Sequence, residues 1–284
     1  MAEYRKTIAY TKNLIKQELF SAKTLAVYGF LFALCGCACY PMTVYLVDSG
    51  EQIGYWEMAD CILGSHNTQL FYLLGILVLI SGIPYAGKET PYYLIRGRKQ
   101  EWVTSNVLLL LCHTICYYGF LCICIAIYIL PGICMDNRWS DLYASCKNGK
   151  EIGNVWMNFS EQAYNVTTPL SGFLVLLTEA VLCSVWMGML VFLFSMYGKR
   201  KAGMLLCVIL FGLNRLLDYG LHQLSFFRFV KYINPVSFLT QYWMGEPEAG
   251  GRFGYAVAFL GVVIVATYVA VQCRMKKSDW MVEA

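Results

Sequence analysis

Six stretches of this chain, 24–47, 68–86, 103–130, 170–197, 202–218 and 253–273, are each long and apolar enough to cross a lipid bilayer as a helix. About 20 apolar residues rising 1.5 Å each cover the roughly 30 Å of hydrocarbon in a bilayer. A helix is the natural form for such a run, because it satisfies its own backbone groups where no water reaches them. Composition agrees. Of the 284 residues 58% are hydrophobic and 14% charged, far below the roughly 25% charged residues of soluble domains. The expected fold is an all-α integral membrane protein with about six transmembrane helices, and with no soluble domain large enough for chemistry of its own.

The first 23 residues interleave Arg5, Lys6, Lys12, Lys16 and Lys23 with Tyr4, Ile8, Leu14, Ile15, Leu19 and Phe20. This pattern predicts an amphipathic helix lying on an anionic membrane surface. A signal peptide is the rival reading, but its basic region would be too long and the apolar segment that follows is long enough to span. The organisation expected is therefore an interfacial helix over 1–23 followed by one transmembrane domain over 24–284.

Basic residues are sorted along the chain. Fifteen of the 22 Lys and Arg fall in the first 23 residues, in the second loop (Lys88, Arg96, Arg98, Lys99), in the fourth (Lys199, Arg200, Lys201) and in the tail (Arg274, Lys276, Lys277). The opposite side receives six, while its first loop carries Asp48, Glu51, Glu57 and Asp60. The positive-inside rule then places both termini in the cytoplasm of a plasma-membrane protein. The net charge of +4 reflects this sorting and gives no reason to expect nucleic acid as a partner.

Several patterns that could carry chemistry do not. Gly82 to Glu89, GIPYAGKE, approaches a phosphate-binding loop, but Glu89 stands where a Mg²⁺-binding hydroxyl is needed and no strand precedes it. Nine of the thirteen cysteines lie inside the apolar runs and Cys273 ends the last one; cysteine there acts as a small apolar filler, so no metal site is expected. Cys61, Cys134 and Cys146 are expected outside, where one disulfide is possible but not implied. His113 is alone among Cys112, Thr114 and Cys116, without the second group that an intramembrane enzyme requires; it suits a packing hydrogen bond. No catalytic residue and no cofactor bound by the chain are expected.

Four segments are more informative. The loop 88–102, KETPYYLIRGRKQEW, sets Tyr92, Tyr93, Leu94, Ile95 and Trp102 among Arg96, Arg98 and Lys99, which allows a short helix that docks into a groove, or an ordinary basic connector. Glu179 lies about ten residues inside the fourth run among leucines and valines and should face other helices or a cavity; a protonated structural glutamate is the alternative to a substrate contact. Arg215 and Asp218, spaced to pair on one helix face, either line the path of a transported molecule or form a structural pair near the headgroups. The stretch 226–243, broken at Asn234-Pro235, is aromatic and too interrupted to span, and predicts a re-entrant hairpin over 219–252.

The order of these parts resembles the permease subunits of type-2 ABC exporters, in the small six-helix form common in Gram-positive bacteria. Such proteins begin with a cytoplasmic interfacial helix, place a coupling helix between helices two and three, and carry a re-entrant hairpin, often with Asn-Pro, before the last helix. The resemblance implies that Tyr93, Leu94, Ile95, Arg96, Arg98 and Trp102 contact a separate cytosolic ABC-type ATPase. ATP and Mg²⁺ would be bound by that partner, and a second permease chain would complete the path. A secondary transporter or channel, or a non-transporting anchor or sensor, is the alternative.

Overall fold

The computed structural model describes residues 11–12, 14–16, 18, 20–84, 99–147, 164–165, 167–218, 233–239 and 249–277, with the backbone alone at 215, 217, 218, 249–252 and 277. Helices dominate: α1 (Ala22–Ser49), α2 (Tyr55–Gly64), α3 (His66–Ile80), α4 (Lys99–Tyr128), α5 (Asp141–Lys147), α6 (Pro169–Ser195), α7 (Arg200–Asp218) and α8 (Ala249–Lys277). A two-residue parallel bridge, β1 (Ile53–Gly54) with β2 (Ile133–Cys134), joins the segments after α1 and after α4.

Among the described residues four helices are long and apolar enough to cross a membrane: α1 with 28 residues, α4 with 30, α6 with 27, and α8, whose apolar part is Phe253–Lys276. Their outward faces carry Leu25, Phe30, Val44, Ile115, Ile123, Leu174, Val262 and Val265, all exposed. Such a coat of large apolar side chains is stable against lipid and not against water, so the chain is a multi-pass membrane protein. Helix α7 has 19 residues and carries Arg200, Lys201, Arg215 and Asp218, which keep it below the same standard.

The region expected as the first outer loop is different. Residues 55–64 are helical and buried, and α2 meets α3 at an angle of 78°, so the two are a broken span or a re-entrant element. Glu57 and Asp60, read from the sequence as loop acids, are fully buried, and so is Cys61, expected outside; Cys146 is also buried, in α5. The reason is a set of partners far away in the chain, described below.

The helix ends follow from local chemistry. Ser21 caps α1 by accepting from the Thr24 amide at 3.2 Å, and Gly50, at φ 69°, ends it by donating to the Leu46 carbonyl. Only glycine adopts that left-handed turn without strain. Thr168 caps α6 with Pro169 in the first turn, and the Asn137 side chain accepts from the Leu170 amide at 3.0 Å.

Helix α6 is the centre of the bundle and packs against α2, α3, α4, α7 and α8. Near its start Gly172 lets Asp60 approach so closely that an added Cβ would stand 2.8 Å from the Asp60 Oδ1. Of the amino-terminal segment, Leu14 is buried in the core while Lys12 and Lys16 are exposed. At one end of the bundle Lys23 donates to the Leu79 carbonyl, Arg200 reaches Ser195, and the Arg274 guanidinium lies 4.6 Å from the centre of the Tyr197 ring. Cations at helix ends find unpaired carbonyls and ring faces there.

Candidate functional site

Two buried polar regions stand out among the described residues. The first closes one end. Glu57 reaches back from the first turn of α2 to the Gly54 amide at 2.9 Å, and it also accepts from the backbone amide and, at 2.8 Å, the hydroxyl of Ser140. Ser140 in turn accepts from the Tyr143 amide at 3.1 Å, and Trp139 packs 4.3 Å from Tyr143 while its indole donates to the Thr167 carbonyl. A buried carboxylate with three donors is satisfied. This region is a structural cap that ties α2 to the segment before α5.

The second region lies in the middle. Where α2 breaks from α3, the carbonyls of Ile62 and Leu63 lose their helical partners and are met by side chains from the next turns, while Ser65 keeps the Gln69 amide at 2.9 Å. Thr68 lies against Ile62 and Ser65, and both Gln69 and Tyr72 donate to Leu63 at 3.1 Å. Gln69 spends its second amide hydrogen on the Leu239 carbonyl, which belongs to a buried 3₁₀ turn, Pro235–Leu239. Asn234 anchors that turn: its amide donates to the Leu210 carbonyl in α7, and its Oδ1 accepts from the Val236 amide. Phe238 packs on Tyr255 and Phe259 of α8. Two interruptions of regular helix thus meet inside the bundle, each with its backbone groups covered by protein, as the bilayer interior demands.

Glu179 belongs to this centre. It sits ten residues into α6, about 15 Å along the axis. Its surroundings include the Tyr72 hydroxyl and the Cys183 thiol; Tyr118 beside them pairs with Ser184 at 2.8 Å, and Tyr117 donates to the Tyr72 carbonyl. Glu179 is 5% exposed and takes part in no hydrogen bond or ion pair with the described residues.

The other residues singled out from the sequence fall as follows. Tyr93, Leu94, Ile95, Arg96 and Arg98 lie outside the described residues. Trp102 is part of α4 and 2% exposed, with its ring edge-on to Phe192 at 5.9 Å, so its side chain is packing inside the bundle and offers no outward surface here. Arg215 and Asp218 lie on the last turn of α7, and their side chains are outside the described residues. Pro235 opens the buried turn and Asn234 precedes it; of the stretch 219–252, residues 219–232 and 240–248 lie outside the described residues. His113 is buried on α4.

Sequence reasoning missed Glu57, Gln69 and Tyr72. A signal existed for Gln69, an amide next to the start of an apolar run, which needs partners wherever it is buried. None existed for Glu57, whose partner Ser140 lies 83 residues away. Compared with family models, with curated proteins and with solved structures, the chain matches none.

Proposed function

We propose that this chain is the membrane-spanning subunit of an ATP-driven exporter, working with a separate cytosolic ABC-type ATPase and a second permease chain. The observation that carries the reading is the buried turn at Pro235–Leu239 just before the last helix, seated among α6, α7 and α8 and held through Asn234. A short non-spanning element at that position is what the resembled permeases place before their final helix. Two interrupted elements packed against one central helix also give the bundle a part that can shift as a unit when force is applied at its edge. The basic segment 88–98 between α3 and α4 is the point of force, with Leu94 and Ile95 as apolar anchors and Arg96 and Arg98 as charge partners. Trp102 serves behind it, fixing the start of α4 on Phe192.

A secondary transporter is the second reading, and one observation favours it: broken elements meeting beside a buried carboxyl are the usual setting of a coupled-ion site. The two readings separate in one experiment. The tagged chain is purified from its native membrane, and Mg-ATP hydrolysis is measured in the wild type and in Leu94→Asp/Ile95→Asp. A co-purifying ATPase that the double substitution releases, with the chain still inserted, supports the exporter. A chain that carries no ATPase, and whose liposomes move solute on a proton gradient alone, supports the secondary transporter and ends the first reading.

A further inference from the structure

From the setting of Glu179 we infer that its carboxyl is a proton-binding site at the centre of the bundle. The reasoning starts from what surrounds it. Helix α6 packs against α2, α3, α4, α7, α8 and the 3₁₀ turn, and the described residues of each can be checked for a charge partner. From α3 comes Tyr72, whose hydroxyl is committed to the Leu63 carbonyl. From α4 come Tyr118, committed to Ser184, and His113, whose charged neighbour is Lys23 and not Glu179. Helix α7 presents Cys207, which lies toward Cys183 of α6 itself. The acid that α2 presents, Asp60, stands at Gly172, two turns away along α6. Helix α8 buries Ala256, Leu260 and Val271, and the 3₁₀ turn buries Val236, Ser237, Phe238 and Leu239. None of these groups is a cation, and none donates to Glu179.

A carboxylate with neither cation nor donor is far more costly to bury than the neutral acid. Glu57 shows what this protein does when it keeps a buried carboxylate: it supplies three donors. At Glu179 none of the described residues is a donor, so the partner of the site is a proton. With 5% of the residue exposed, the carboxyl is enclosed but not sealed, so a proton can enter and leave. Its place against the broken α2–α3 junction makes proton occupancy sensitive to movement there. If the junction shifts so that Glu179 meets water, the proton is released; if it closes, the proton is taken up again. The site stands apart from the ATPase question, since an exporter and a secondary transporter could each contain it.

The test is dicyclohexylcarbodiimide, an apolar reagent that attacks protonated carboxyls in apolar surroundings. The carboxylic O–H adds across one C=N bond, the proton going to nitrogen and the oxygen to the central carbon, with no leaving group. The full chain in detergent is treated near neutral pH and digested for mass spectrometry. We expect one carbodiimide added, on the peptide that contains Glu179, with labelling lost in Glu179→Gln, retained in Glu179→Asp, and declining as pH rises. A water-soluble carbodiimide should leave Glu179 unlabelled and modify exposed acids such as Glu51. Glu179→Gln is also the control for folding, because the amide copies the shape of the neutral acid; its melting curve should overlay that of the wild type. No adduct at Glu179 in a chain that melts normally, or labelling of Glu51 and Glu179 alike by the apolar reagent, overturns the inference.

Discussion

Glu57 and Glu179 are buried to nearly the same depth, at 0% and 5% exposure, yet they are opposites in every other respect. Glu57 gathers donors from both its own helix and Ser140, and it lies in a short helix at one end of the bundle. Glu179 gathers none among the described residues and lies near the middle of the central helix. The difference teaches how to sort buried charge in a membrane bundle. A carboxylate whose acceptors are filled holds structure together, because removing it leaves donors unpaired. A carboxyl whose acceptors are empty holds nothing together, so its cost to the fold is explained only by something it binds.

The largest effect is expected at the cap. Glu57→Ala strips the acceptor from the Gly54 amide and from both groups of Ser140, and should cost about 3 kcal/mol in a reversible unfolding titration in micelles. Next comes Gly172→Val, which drives a side chain onto Asp60 at the start of α6. Overpacking there should cost about 2 kcal/mol in the same titration, and it asks whether a third buried acid belongs with Glu57 or with Glu179. Ser140→Ala removes one of the three donors and the cap of the Tyr143 amide, leaving the backbone bond intact, and should cost about 1 kcal/mol. The smallest effect belongs to Glu179→Gln, within about 0.5 kcal/mol of the wild type. A cost at Glu179 as large as that at Glu57 would break the distinction.

The two regions also differ in how far the sequence alone reveals them. Length and apolarity identify α1, α4, α6 and α8, because a bilayer makes one demand that twenty residues either meet or fail. The break at Asn234-Pro235 is legible for an equally local reason, since proline cannot donate into a helix. Glu179 is legible because a charge ten residues inside an apolar run has nowhere else to be. The cap is not. Glu57 and Asp60 in a stretch between apolar runs read as solvated loop acids, and only Ser140 and Gly172, both distant in the chain, make them interior. Trp102 is the same lesson reversed. Beside Arg98 and Lys99 it looks like part of a docking surface, and Phe192 from another helix takes it into the core. Where a residue's partner is local, sequence reasoning finds its role; where the partner arrives by tertiary packing, the residue type alone misleads.

The most direct measurement sets Glu57→Gln beside Glu179→Gln, the same isosteric change at both sites, with thermal unfolding of each full chain followed under identical detergent conditions. At position 57 the new amide NH₂ must face the Gly54 or the Ser140 amide, so one buried donor loses its acceptor and the melting temperature should fall clearly, by the equivalent of about 1–3 kcal/mol. At position 179 no donor is waiting among the described residues, and the melting temperature should stay at the wild-type value. Equal losses at both sites, or a loss at Glu179 alone, would mean that Glu179 has a structural partner and that the contrast between the two glutamates is wrong.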